Sequence, residues 1–355
     1  MNNYISKLES NKVLSNLSTC CTTTLGKDLA LNLQIYNNPA IVSNKLNETN
    51  EAVNLIYRNS TPSFFNISDI SIYLINLESQ HSLNLKALLD LNNVFLCAKS
   101  LKEYFSKDYI DKSDFPILSN LFSQLYSNDG ITNKISSAII DENTIDDKAS
   151  TELYKIRKKI KNLEQTIRSK LNSMIHSPSF SKYIQENLVT IRNERFVIPV
   201  KEEYRSYVKG FVHDISNAGS TLFIEPISIF ELNNEINQLK KEEALEIEKI
   251  LQILSSLFYP YVNEIKLDLE IISKLDLIFA KAKYSNQING ITPIINNEKR
   301  INLINARHPL ISPDKVVPIS IELGKQFSTL LITGPNTGRK NCNLKDCWIT
   351  YLHGM

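Results

Sequence analysis

The 355-residue chain is poor in the residues that interrupt regular structure: it holds 9 glycines and 12 prolines. That scarcity excludes collagen-like and turn-rich all-β architectures and favours long helices. Cysteine is scarce too. Cys20, Cys21, Cys97, Cys342 and Cys347 form an odd, scattered set, which excludes a disulfide framework. Cys342 and Cys347 have no second Cys/His pair beside them, and no metal site is predicted. No apolar run approaches the ~20 residues of a membrane span, and the stretch Met1 to Lys7 precedes no apolar signal core. A cytoplasmic, reduced protein with no membrane partner is expected. Net charge is only +2, so any binding of nucleic acid must come from a local patch.

What the sequence has in quantity is helical periodicity. Residues 1–140 read as a helical core. Leu25, Leu29, Leu31 and Leu33 are spaced along a short helix. Pro39 opens a longer one through about Arg58, with Ile41, Leu46, Val53 and Ile56 on its apolar side. Ser82 is expected to cap a helix running to Phe105, and another follows Pro116. The Tyr and Phe residues of this half are expected in its core. Residues 141–178 read as one long helix whose stripe is Leu153, Ile156, Ile160, Leu163, Ile167, Leu171 and Ile175. The charged run Arg157-Lys158-Lys159-Ile160-Lys161 within it reads as a solvated helix face rather than a nucleic-acid contact.

The period then changes from helical to alternating. Residues 179–227 contain four strand-like runs, 189–192, 195–200, 210–216 and 221–225, with turns at Asn193-Glu194 and Asn217-Ala218-Gly219. Arg192, Arg195, Lys201, Arg205 and Lys209 are scattered over this β module and are its candidate nucleic-acid contacts. His213, Asp214 and Glu225 invite a metal or acid–base reading, but the chain has only five histidines, and a folding role for them is expected. Helical spacing returns over residues 228–285, interrupted at Pro260. A small β module carried between two long helices is a lever with a head.

Residues 286–338 are punctuated by Gly290, Pro293, Pro309, Pro313 and Pro318 and read as the opening of an α/β domain. Ser328 to Thr333 is its expected buried strand. The following loop fits a phosphate-binding pattern, G-x-x-x-x-G-K-[ST], at Gly334 and Lys340. It departs from that pattern at Arg339, where Gly is usual, and at Asn341, where Ser or Thr holds Mg²⁺.

Several motifs together resemble the MutS family of ATPases, in its second bacterial branch (MutS-two). They are Leu25-Gly26-Lys27-Asp28-Leu29-Ala30; Thr190-Ile191-Arg192-Asn193-Glu194-Arg195-Phe196-Val197-Ile198-Pro199-Val200-Lys201; Gly210-Phe211-Val212-His213-Asp214-Ile215-Ser216; Gly219-Ser220-Thr221-Leu222-Phe223-Ile224-Glu225-Pro226; Ala306-Arg307-His308-Pro309-Leu310-Ile311; and Thr333-Gly334-Pro335-Asn336-Thr337-Gly338. The resemblance implies a mainly α fold: an elongated helical core, two long lever helices, a small inserted β clamp, and the incomplete start of an α/β P-loop ATPase domain. It implies DNA, or the ribosome and its rRNA, as partner, and a homodimer. It also implies ATP and Mg²⁺ as cofactors, held by Gly334, Pro335, Asn336, Thr337, Gly338, Arg339, Lys340 and Asn341. Relatives of this kind are associated with suppressing recombination and rescuing collided ribosomes, using a nuclease domain beyond the ATPase.

The family's loop continues G-K-T-V-T-L-K-T-V-G-L-L after the position of Gly338. Codons for Arg339 to Tyr351 can be chosen so that removing one nucleotide yields that continuation. Residues 339–355 are therefore expected to be an out-of-frame tail, with ATPase and nuclease activity lost. No catalytic residue is assigned to this chain.

Overall fold

The computed structural model describes residues 9–331, apart from Asn66 and Pro313. The chain is mainly α with small antiparallel sheets. Ten helices lie among the described residues: α1 (Ser10–Thr19), α2 (Thr24–Leu31), α3 (Pro39–Asn59), α4 (Ser71–Glu78), α5 (Leu85–Phe105), α6 (Pro116–Gln124), α7 (Asp129–Ala138), α8 (Thr151–Ile175), α9 (Ile227–Ser256) and α10 (Val262–Gln287). The strands are β1 (Ile139–Asp141), β2 (Thr144–Ile145), β3 (Thr190–Arg192), β4 (Arg195–Lys201), β5 (Gly210–Ile215), β6 (Thr221–Pro226), β7 (Ile301–Ala306) and β8 (Ile319–Leu323). They divide into two compact units. One comprises Met1–Ser79, Asp90–Thr132 and Phe258–Met355; the other comprises Gln80–Leu89 and Asn133–Leu257.

The first unit is organised around α10, which buries a broad face, among its residues Ile265, Ile272, Leu275, Phe279 and Ala282, and leaves Lys266, Leu267 and Glu270 exposed. Aromatic rings fill the space beside it. Phe105 and Phe122 stack at 4.5 Å, and Tyr104, Phe122 and Phe64 all meet Phe279 edge-on or tilted. Asp276 of α10 is fully buried and holds the segment that leads into α2. Its carboxylate accepts hydrogen bonds from the Thr22 and Thr23 backbone N–H groups and from the Thr23 hydroxyl, at 2.7–3.1 Å. Thr23 in turn accepts from the Gly26 N–H and starts α2.

This arrangement overturns the leucine face expected for α2. Its buried residues are Gly26 and Ala30, while Leu29 and Leu31 are exposed. A Cβ on Gly26 would stand 2.5 Å from Asp276 Oδ2. The helix approaches α10 so closely that only small residues fit the contact. A similar shift affects α3. Val42, Glu48, Ala52, Leu55 and Asn59 are buried, and Ile41 is exposed. The small Ala52 permits close packing. The two polar residues have partners: Lys45 for Glu48, and the Tyr104 carbonyl and Lys107 ammonium for Asn59.

The second unit holds the two long helices α8 and α9. The stripe read from the sequence is the buried face of α8: Leu153, Ile156, Ile167, Leu171 and Ile175 are buried, with Ile160 and Leu163 packed at its edge. The helix is shorter than expected. Residues 139–145 form the hairpin β1–β2, and Ser150 caps α8 by accepting from the Leu153 N–H. Cross-helix pairs run in opposite order along the two helices, which makes them antiparallel. Ser150 meets Glu246, Arg157 meets Glu243 at 2.7 Å, and Lys159 meets Glu235 at 2.6 Å. Arg157 also reaches Asp147 and the Ile145 carbonyl. Part of the charged run on α8 is thus a seam between helices.

In the same unit the cap expected at Ser82 lies at Asn84, whose Oδ1 accepts from the Ala87 N–H. Leu83 is buried, and its N–H donates to Ser255 Oγ at 2.8 Å, so the chain is still entering the core there and the helix begins later.

In the first unit, among the described residues, β7 and β8 pair only with each other. The strand expected from Ser328 is not formed over residues 328–331, where Leu330 is 43% and Leu331 83% exposed. Among the described residues no strand lies beside this run to bury it.

Candidate nucleic-acid interface

The β module lies between α8 and α9 in sequence and packs on both. Its four strands are antiparallel in the order β3-β4-β6-β5, and their limits fall within one or two residues of those read from the sequence. Alternation divides the sheet. Phe196, Ile198 and Val200 on β4, with Leu222 and Ile224 on β6, form one buried face. They pack with Ile167, Leu171 and Ile175 of α8 and with Ile229 and Ile236 of α9. The sheet therefore has a core of its own, anchored to both helices.

The turns are sharp. Asn193 and Glu194 both have positive φ, 48° and 61°, so the β3–β4 hairpin turns in two residues with Arg192 opposite Arg195. Gly210 faces Pro226, and a Cβ there would stand 2.1 Å from the Glu225 carbonyl oxygen. A bulge between Val212 and Asp214 changes the register of β5 around His213. His213 Nε2 lies 2.6 Å from Oε2 of Glu225.

Glu225 has no exposed surface. Besides His213 it accepts Arg195 Nη1 at 2.8 and 3.1 Å, and Asn233 Nδ2 at 2.6 Å. Arg195 Nη2 donates to Asn234, and Asn233 also bonds the Phe196 backbone N–H and C=O. One buried carboxylate thus binds β4, β5, β6 and the first turns of α9. A fully bonded, buried charge is a device that fixes geometry. Asp214 is not part of it; its carboxylate meets Arg192 at 3.1 Å. Among the described residues no group of three or more His, Cys, Asp or Glu is placed to hold a metal ion.

The candidate cations separate into two kinds. Arg195 is enclosed in the Glu225 network. Arg205 donates to the Val208 and Gly210 carbonyls, each at 3.0 Å, and ties its own turn together. Arg192 pairs with Asp214 and lies 4.3 Å from the centre of the Phe223 ring. Lys201 is half-buried with its ammonium 6.0 Å from the Tyr204 ring, and Lys209 is exposed. Sequence reasoning did not single out the neighbouring Lys182, exposed with its ammonium 4.9 Å from the Tyr183 ring. Across residues 179–227 the module balances Lys182, Arg192, Arg195, Lys201, Arg205 and Lys209 against Glu186, Glu194, Glu202, Glu203, Asp214 and Glu225. It is formally neutral, apart from its histidine. The loop residues Gly334 to Asn341 lie outside the described residues.

No helix among the described residues is long and apolar enough to cross a membrane. No family model matches the chain. It is 41% identical over 348 residues to a protein of Clostridium perfringens (strain SM101) named Endonuclease MutS2, an alignment covering 98% of this chain and 44% of that protein. Proteins of the same name from Clostridium acetobutylicum and Acetivibrio thermocellus are 42% identical over 348 residues and 41% identical over 338. The former alignment covers 98% of this chain and 44% of the relative, the latter 95% and 43%. The chain spans less than half the length of these relatives.

Proposed function

Because the chain belongs to the MutS2 family of endonucleases, we propose that it is the nucleic-acid-binding lever-and-clamp portion of a protein that, when complete, hydrolyses ATP and cuts nucleic acid in the cytoplasm. The partner is DNA or the rRNA of a ribosome. The observation that supports this most is the clamp: a sheet with its own core, fixed by Glu225 and held between two helices that are cross-linked by Arg157–Glu243 and Lys159–Glu235. In this reading Lys201 and Lys209 meet phosphates, while Arg192, Arg195 and Arg205 hold the surface that presents them.

ATP and Mg²⁺ belong to the loop Gly334, Pro335, Asn336, Thr337, Gly338, Arg339, Lys340 and Asn341. Lys340 would reach the β- and γ-phosphates. Arg339 brings a Cβ and a long side chain where the backbone must approach the phosphate, and Asn341 replaces the hydroxyl that binds Mg²⁺. Loss of ATP binding and hydrolysis by this chain follows from that reading; for the complete protein a homodimer belongs to the same proposal. A second reading, an inert helical scaffold, draws on the formal neutrality of the clamp.

Fluorescence anisotropy of the whole chain with labelled duplex DNA and structured RNA, across a salt series, separates the two. Binding that weakens with salt supports the first reading. No binding to either nucleic acid at low salt leaves the scaffold. A titration with mant-ATP tests the loop: a micromolar response would overturn the loss of nucleotide binding.

A further inference from the structure

The clamp carries an aromatic cluster that its fold uses only in part. Phe180, Tyr183 and Tyr204 are half-buried and pack against the clamp core. Tyr207 does not pack there. It is 63% exposed, with one face against Tyr183 in a near-parallel stack, centroids 5.3 Å apart and planes at 16°. Tyr204 meets both rings, at 5.3 Å from Tyr183 and 6.0 Å from Tyr207. The turn that holds Tyr204 and Tyr207, Glu202–Tyr207, is kinked at Tyr204 (φ −102°, ψ 15°). Arg205 pins it through the Val208 and Gly210 carbonyls. The outer ring therefore rests on a second ring within a turn that is already locked.

Two ammonium groups accompany these rings, Lys182 at 4.9 Å from Tyr183 and Lys201 at 6.0 Å from Tyr204. Lys209, exposed, follows two residues after Tyr207. Glu202 and Glu203, also exposed, open the same turn. A long phosphate track is disfavoured by that mixture, whereas a single base with one or two flanking phosphates is accommodated. An exposed tyrosine backed by a second ring and bordered by lysines is the chemistry of a base-stacking ledge, which engages any unpaired base through its π-face.

We propose that Tyr207, stacked on Tyr183, is a platform for an unpaired nucleobase, so that this clamp binds single-stranded or locally opened nucleic acid in preference to intact duplex. This rests on the clamp being the nucleic-acid-binding part of the chain. The platform reads no hydrogen-bonding edge and is tolerant of sequence. With about two phosphates neutralised, the affinity for a single strand falls with log salt at a slope near −1.4, shallow for a nucleic-acid-binding protein.

The test is anisotropy of the whole chain with labelled oligo(dT) and with a duplex, together with the quenching of 2-aminopurine placed in a single strand. In wild type, 2-aminopurine is quenched and the single strand binds more tightly. Tyr207→Ala weakens the single strand roughly 10-fold or more and abolishes the quenching, with duplex affinity unchanged. Tyr207→Phe keeps both signals. Equal losses on duplex and single strand in Tyr207→Ala would overturn the proposal, as would single-strand affinity that is unchanged. Loss in Tyr207→Phe as large as in Tyr207→Ala would assign the contact to the hydroxyl and overturn stacking. Duplex binding by wild type with no single-strand binding defeats this inference alone; binding of neither form defeats the wider reading of the clamp as well.

Discussion

The guanidinium of Arg195 lies 2.8 Å from Oε1 of Glu225, a carboxylate with no surface exposed to solvent. The pair joins two strands of the clamp, and His213 and Asn233 complete the carboxylate's bonds. Removing one partner of such a pair strands the other. Glu225→Ala is expected to destabilise the second unit by about 3–5 kcal/mol. Urea denaturation followed by circular dichroism measures it, and a loss below about 1 kcal/mol would show that the network does not hold the sheet.

Gly26 tests the contact of α2 with α10. A Cβ at this position would stand 2.5 Å from Asp276 Oδ2 and 2.7 Å from Thr23 Oγ1. Gly26→Ala is expected to cost about 1–3 kcal/mol despite the better helix propensity of alanine. Asp276→Ala alone removes the acceptor of the Thr22 and Thr23 N–H groups and of the Thr23 hydroxyl. In the double variant the combined loss should be smaller than the sum of the two separate losses, because the clash with the Asp276 carboxylate has gone. Additive losses would mean that the two residues do not press on each other.

Asp268 gives the first unit a pH dependence. It is buried, its Oδ1 accepts the Tyr126 N–H at 2.8 Å, and its Oδ2 has no partner. Desolvation pushes its pKa up to about 7, with nearby Glu264 adding to the rise and Lys102 opposing it. The folded state thus prefers the protonated acid. Its stability declines as pH rises from about 4 to about 7 and is level above that. The span is at most about 4 kcal/mol, because a tenfold difference in proton affinity between the folded and unfolded chain corresponds to about 1.4 kcal/mol. Asp268→Asn should flatten this slope in urea midpoints taken across pH, since the amide does not ionise. An unchanged slope would assign the dependence to other groups.

Arg157 distinguishes a seam from a binding face. It bonds Glu243, Asp147 and the Ile145 carbonyl within the second unit. Arg157→Ala should lower stability by about 1–2 kcal/mol, with nucleic-acid affinity unchanged at fixed salt. A variant of normal stability that binds several-fold more weakly would place this residue on the ligand instead.

Much of this could be read in the residues, and the exceptions have common physical causes. The clamp strands and the Asn193-Glu194 turn follow from alternation and local turn chemistry, and the stripe on α8 from its leucines and isoleucines. The faces of α2 and α3 differ from the expected ones because hydrophobicity points to the large residues. There the close contacts are made by Gly26, Ala30 and Ala52. Buried Glu48 is matched by Lys45 one turn away, and buried Asn59 by groups remote in sequence. The hairpin β1–β2 is too short to announce itself beside a long helical pattern. Of the candidate cations, sequence could supply the charges but not their partners. Arg195 is committed to a residue thirty positions away, a pairing that the register of β4 against β6 brings about. The tyrosine stack joins residues from two separate turns, and no spacing rule anticipates it.

The first unit is assembled from three stretches of chain, and α10, on which its core closes, comes from the last of them. During synthesis, α1 to α6 leave the ribosome before the helix that carries Asp276 and Phe279 exists. Thr23 then has no carboxylate to accept its N–H, and the rings of Tyr104 and Phe122 have no Phe279 to meet. The second unit needs nothing beyond Leu257 and can complete its core first. The early segments must therefore wait, with their apolar sides uncovered, through the time taken to make the clamp and both of its helices. That is an interval of several seconds at ordinary elongation rates, in which a chaperone would find its substrate.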